Sequence, residues 1–178
     1  MPHTPSPHAP APQIVAACDA AGITIAQLHG DAARASLAGL PARLQAIYVL
    51  TAAANGELLT PLPGTVVDRS QLMAGAQGWR RAVDWVSQGR RTVEYLLVDG
   101  QAPGSGVSYD FGALRVPRGA SRRGWALAGG LTPETVGGAI AAARPDVVDV
   151  ASGVADAGGV AKDPRRVEAF IAAVRASG

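Results

Sequence analysis

Short, uninterrupted apolar runs alternate along this chain with segments whose apolar residues recur three and four positions apart. The runs are "ITIAQL" (23–28), "LQAIYVL" (44–50), "VEYLLVD" (93–99), "WALAGG" (125–130) and "DVVDVAS" (146–152), and they predict five strands. Between them lie helical patterns. Ile14, Val15, Cys18 and Ala21 share one face, and Gly22 ends that helix. Ala33 to Leu40 predicts a short helix, and Leu72, Ala76, Trp79, Val83 and Val86 line one side of another. Thr132-Pro133-Glu134 supplies a cap, a proline at the first helical position and an acid in the first turn. Asp163-Pro164 opens the last helix, where Val167, Phe170, Ile171 and Val174 form an i, i+3, i+4, i+7 stripe.

Apolar strands that run without alternation, separated by helices, imply an α/β fold: a parallel sheet covered by helices. Five strands fall short of a closed (β/α)8 barrel, and 178 residues fall short of the about 250 typical of that fold. Two stretches stand outside the alternation. "MPHTPSPHAPAP" (1–12) carries too many prolines for a helix or strand interior, so it predicts a disordered Pro/His-rich leader before a domain over 13–178. His3 and His8 within it read as solvated side chains rather than metal ligands. Residues 51–70 carry Asn-Gly and two prolines and predict a long irregular loop.

Composition narrows the function. Apolar residues make up 48% and charged residues 17%, the balance of a well-buried globular domain. The net charge of +2 rests on basic groups that are almost all arginine. They neither interleave with aromatics nor line a helix face, which argues against a nucleic-acid partner. No apolar run approaches the about 20 residues of a membrane helix, and the N-terminus lacks a signal peptide's apolar core. The single cysteine, Cys18, cannot form an internal disulfide and lies on a helix's apolar stripe. It reads as packing, in a reducing cytoplasmic compartment.

Candidate chemistry gathers where the strands end. "LAGGLTPE" sets Gly129 and Gly130 just before a helix start, and "VDVASGV" repeats the arrangement with Ser152 and Gly153. Such turns are either ordinary βα connections or a phosphate seat of bare backbone amides, and two in succession favour the seat. Asp99 ends "YLLVD", where an acid faces an active-site rim or simply turns a loop. "GSG" (104–106) is a flexible loop whose amides could close over a phosphate. His29 ends "QLH" as an acid/base group, a substrate contact or a hydrogen-bonded rim histidine, the last being favoured.

In this order, "QLHGD", "LLVDG…GSG", "LAGGLTPETV", "VDVASGV" and "KD" before the final helix resemble the C-terminal two-thirds of phosphoribosylanthranilate isomerase. That family is a (β/α)8 (TIM) barrel of tryptophan biosynthesis, and the resemblance covers roughly residues 13–178. It implies a partial barrel whose five β/α units are the family's fourth to eighth. It implies an Amadori rearrangement of the N-(5′-phosphoribosyl)anthranilate aminoaldose to the aminoketose, without metal or organic cofactor. Asp99 matches the general acid that protonates the furanose ring oxygen. The phosphate would rest on amides at Gly104, Ser105 and Gly106, at Gly129 with Gly130, and at Ser152 with Gly153.

The resemblance also has gaps. The family's general base is a cysteine in a Lys-Ile-Cys-Gly setting on the first strand, and Cys18 aligns instead with a helix. The first three strands, and an arginine for the anthranilate end, have no counterpart. The expectation is therefore an N-terminally truncated isomerase, inactive on its own. The alternatives are a non-catalytic phosphoribosyl-ligand binding relic, or a half-barrel that takes its missing strands from an oligomer or a partner chain. Ala151 and Ala155 stand where the family has serine and glutamate, and Tyr48 where a basic residue is common.

Overall fold

A computed structural model describes residues 11–60, 93–100, 108–117 and 119–178. Their elements follow the predicted alternation. Helix α1 (Ala11–Ala21) precedes β1 (Ile25–Leu28), and α2 (Asp31–Ala35) runs into a 3-10 turn (Ser36–Gly39) before β2 (Gln45–Ala52). Then come β3 (Tyr95–Gly100), β4 (Trp125–Leu127), α3 (Val136–Ala143), β5 (Val147–Val148) and α4 (Pro164–Arg175).

The five strands are all parallel and neighbour one another in sequence order. A doubly wound sheet reverses its order at a switch point, whereas the wall of a (β/α) barrel does not. The observed order is that of a barrel wall. Among the described residues β1 and β5 each pair on one side only.

The strands read as continuous apolar runs because both faces of the sheet are covered. On β2, Ala46, Tyr48, Leu50 and Ala52 pack outward under the helices, with Leu96 and Val98 of β3 and Leu127 of β4. Their neighbours Ile47, Val49, Leu97, Ala126 and Ala128 form a second, smaller cluster on the inner face. Successive strand side chains point to opposite faces, so Asp99 shares the inner face with Leu97, two positions earlier. The amino end of β3 carries a different acid: Glu94 is buried, with Arg123 at 3.0 Å and Arg122 at 3.7 Å.

Helix ends follow local chemistry. Gly22 closes α1 at φ +65°, its amide donating to the Asp19 carbonyl while the Ile23 amide donates to that of Cys18. This is the double bond pattern of a Schellman cap. At α4 the Asp163 carboxylate accepts from the Arg165 amide, and Pro164 occupies the first helical turn. No helix among the described residues is long and apolar enough to cross a membrane.

Several expectations need correction. Helix α1 takes in Ala11 and Pro12, the last two residues of the expected leader; Pro12 sits in the first turn, where its missing amide costs nothing. The Thr132-Pro133-Glu134 cap does not open α3. Those residues form a preceding turn in which the Thr132 carbonyl accepts from the Thr135 and Val136 amides, and the helix begins at Val136. The fifth strand is two residues long because its ladder ends where the three-residue β4 ends, and the chain then coils into a 3-10 turn at Ser152–Val154. Residues 51 and 52 extend β2, and an antiparallel bridge joins Ala52 to Leu58. On the stripe of α4 only Phe170 is buried, and Ile171 is 44% exposed. Residues 1–10 with His3 and His8, the latter part of the 51–70 loop, and the helix predicted over Leu72 to Val86 lie outside the described residues.

The contrast between Leu96 and Ile171 gives a test by urea unfolding. Leu96 is fully buried, so Leu96→Ala is expected to cost about 2–5 kcal/mol. Ile171→Ala in the isolated chain should cost less than about 1 kcal/mol, because the side chain is already in water.

Candidate functional site

The carboxyl ends of β3, β4 and β5 lie side by side and set the candidate residues in two adjoining groups. The first centres on Asp99, at the tip of β3. Its Oδ1 accepts the Gly100 amide at 2.8 Å, and the residue is half-buried. Gly129 lies directly against it at φ +85°. A Cβ at position 129 would stand 2.7 Å from the Gly100 nitrogen, 2.8 Å from Asp99 Oδ1 and 2.9 Å from Tyr109 Cε1. Only glycine allows both that backbone angle and that approach.

Tyr109 seals this group. Its hydroxyl donates to the Ala128 carbonyl at 2.9 Å and lies 3.3 Å from the Val98 carbonyl, so one phenol ties the tips of β3 and β4 together. Phe111 packs edge-on against its ring, with centroids 4.8 Å apart. Burial, and after it the negative charge of Asp99, raises the Tyr109 phenol well above the ordinary tyrosine value. Tyr109 therefore stays protonated and donating.

Asp149 directly follows β5, much as Asp99 stands at the end of β3. It is exposed by surface area, yet desolvation of its carboxyl, followed by the charge of Asp99, raises it above the ordinary aspartate value. The charge of Asp99 thus adds to the effect of desolvation. The same rule that singled out Asp99, an acid closing a parallel strand, could have found Asp149 in "VVDVAS". Nothing in the sequence marks Tyr109.

The second group is a cleft of about 490 Å³ between the turns that follow β4 and β5. Gly130, Thr132, Ser152, Gly153, Asp163 and Arg166 are among its lining residues. Gly153 fits there because its α-carbon presses on the Leu131 carbonyl, and a Cβ would collide with it. Arg166 Nε donates to the Gly153 carbonyl at 3.0 Å, and its guanidinium lies 3.4 Å from a carboxylate oxygen of Glu134. The Thr132 hydroxyl chiefly, and Arg166 to a lesser degree, hold the Glu134 carboxyl below its ordinary value. Two further acids on the rim are engaged by main chain: Asp156 accepts the Val160 amide and Asp163 accepts the Arg165 amide. Such a concavity, lined by glycine turns and a guanidinium, suits a small anion.

The structure thus joins Gly130, Ser152 and Gly153 in one cleft and sets Gly129 beside Asp99. His29 is exposed beyond β1. Gly104, Ser105 and Gly106 lie outside the described residues. Tyr48 points into the helix-facing core, where burial raises its phenol, and is not on the rim. Ala155 lines the cleft, and the Ala151 carbonyl accepts from Lys162 Nζ at 3.0 Å. Cys18 is buried beneath α1. Among the described residues no three His, Cys, Asp or Glu side chains are grouped to hold a metal ion.

Two experiments probe this geometry. Tyr109→Phe should destabilise the chain by about 1–2 kcal/mol in urea, because the Ala128 carbonyl loses its buried donor. For Asp149 the folded state favours the neutral acid, so its penalty is absent below the unfolded value of about 3.9 and appears as the pH rises past it. Unfolding midpoints of Asp149→Asn relative to the parent should therefore improve between acidic and neutral pH. An unchanged difference would refute the raised Asp149 carboxyl.

Comparison with known proteins follows the same lines. The sequence profile described as N-(5′phosphoribosyl)anthranilate (PRA) isomerase matches residues 70–173. N-(5′-phosphoribosyl)anthranilate isomerase 1, chloroplastic, of Arabidopsis thaliana is 32% identical over 162 residues, covering 91% of this chain and 50% of the plant protein. The Chlamydia caviae N-(5′-phosphoribosyl)anthranilate isomerase is 29% identical over 168 residues, covering 93% and 66% respectively. Among solved structures, phosphoribosyl anthranilate isomerase from Thermus thermophilus superposes with a TM-score of 0.62 at 26% identity, covering 94% of this chain and 68% of that one. The Thermotoga maritima structure gives a TM-score of 0.60 at 24% identity, covering 96% and 70%, and supports the fold. The chain spans about half the length of the plant relatives it matches.

Proposed function

We propose that this chain, which belongs to the N-(5′-phosphoribosyl)anthranilate isomerase family, supplies the phosphate seat and the general acid of that Amadori rearrangement. The observation that carries the reading is the cleft where Gly130, Ser152 and Gly153 meet, one strand away from the Asp99 tip. Backbone amides of the two turns would hold the substrate's phosphate, with the Gly104–Gly106 loop as a third element. The ribose would then extend towards Asp99. Its carboxylic acid gives a proton to the furanose ring oxygen as the C1–O bond breaks, leaving an iminium. A base removes the C2 proton, and the resulting enol tautomerises to the aminoketose.

In this scheme Tyr109 and Gly129 serve mechanically, holding the Asp99 tip against β4 with no side chain between. Asp149 would confront the ribose from the neighbouring strand. His29 would stand at the rim. No described residue is assigned the base. The reaction needs no metal or organic cofactor in this scheme, and the reducing cytoplasm suits the buried thiol of Cys18.

A second reading rests on the sheet edges. Among the described residues β1 and β5 pair on one side only, and Val147 on β5 is 42% exposed. Polypeptide laid along those edges, from a second subunit or a partner chain, would complete the wall and bring the base. Without it the chain would bind phosphoribosyl ligands and not turn them over.

Rescue of a tryptophan auxotroph lacking this isomerase, with tryptophan omitted, separates the readings. Where the chain rescues, Asp99→Asn should lower isomerase turnover roughly 10²- to 10⁴-fold while leaving ligand affinity within a few-fold. Rescue undiminished by that substitution would refute Asp99 as the acid. Ligand binding without rescue would favour the second reading.

A further inference from the structure

Resting on the phosphate seat proposed above, we infer that Arg166 is a positioning residue of that seat, which clamps its two turns together and meets the bound phosphate with positive charge. The turns come from different β/α units. One follows β4 and reaches Glu134; the other follows β5 and carries Ser152 and Gly153. Arg166, in the first turn of α4, is bonded to both: Nε to the Gly153 carbonyl at 3.0 Å and a terminal nitrogen to Glu134 at 3.4 Å.

These two contacts differ in kind. The Gly153 bond is part-buried, joins a charged donor to main chain, and bears on the residue whose α-carbon presses against Leu131. It fixes the carbonyl, and with it the plane of the following peptide amide. The Glu134 contact is long and exposed, the sort of pair that contributes little in water. A phosphate in the cleft competes with that carboxylate for the same guanidinium and offers bidentate geometry that the 3.4 Å contact lacks. Glu134 therefore holds the arginine near the cleft and yields it to the ligand. The carboxylates that line the cleft itself, Asp156 and Asp163, accept main-chain amides.

The test is titration of the full chain with inorganic phosphate, followed by calorimetry or amide chemical shifts, using the parent, Arg166→Met, Arg166→Lys, Glu134→Gln and Gly153→Ala. Arg166→Met should weaken phosphate binding about tenfold or more, the loss of one charge-assisted contact. Arg166→Lys should recover part of that loss, since charge returns without the fork. Glu134→Gln should tighten binding about two- to threefold, because the competing anion is gone. Glu134→Gln and Arg166→Lys carry the test if Arg166→Met fails to fold.

A merely structural arginine would lower the melting temperature on substitution and leave phosphate affinity untouched in both Arg166→Lys and Glu134→Gln. That result, with parental binding intact and Gly153→Ala defective, overturns the inference and spares the seat. A parent that binds no phosphate overturns both.

Discussion

Just beyond β4 and β5, at Gly129 and Gly153, main chain runs against its neighbours with no room for a side chain, and the rest of the site depends on those contacts. At Gly129 the turn after β4 lies on the Asp99 carboxylate and the Gly100 amide; at Gly153 the turn after β5 lies on the Leu131 carbonyl. A methyl group at either point would push apart the loops that define the acid and the cleft. The two contacts differ in what they require of glycine. Gly129 needs a positive φ as well as space, while Gly153 needs space alone. The glycine-rich ends thus serve close packing first.

Around these contacts the sheet sorts charge by position. Its outer face carries the large aliphatic core under the helices, and its inner face carries the small cluster of Val49, Leu97, Ala126 and Ala128. Acids are confined to the ends. Glu94, at the amino end, is matched by two arginines and reads as stability. Asp99 and Asp149 stand at the carboxyl end, where the charge of Asp99 adds to the desolvation of Asp149, and among the described residues neither has an ion-pair partner like those of Glu94. Tyr109 lies at the carboxyl end as well, an uncharged donor that fixes the strand tips and adds no charge beside Asp99.

The sequence made the fold legible wherever a local rule decides the outcome. The parallel strands, the Gly22 stop and the Asp163-Pro164 start follow from run length, a positive φ and a side-chain cap, all of which act within a few residues. Asp99 was legible for the same reason, as an acid at a strand end. What the sequence concealed depends on distant chain. Tyr109 matters only because Ala128, nineteen positions on, offers its carbonyl, and Arg166 only because Gly153 and Glu134 arrive from other units. The Thr132 cap failed where a competing bond prevailed, since Thr135 Oγ1 accepts the Thr132 amide and tightens a turn before the helix. The α4 stripe marked Ile171 as core, but periodicity records which side is apolar and not whether anything covers it.

That last distinction bears on how the site is divided. Every described part of the cleft comes from the units of β4 and β5 and from α4, contiguous in sequence and mutually packed. A cleft of this kind is local; it needs two turns and one helix, and no closed wall. Acid-base chemistry across a barrel mouth is not local, because its groups must face one another across the opening. The described strands therefore gather the cleft within two neighbouring units and set Asp99 on the same stretch of wall. Under the reading proposed above, binding and turnover respond to different parts of the wall, and ligand affinity should survive changes at the β1 edge that abolish catalysis.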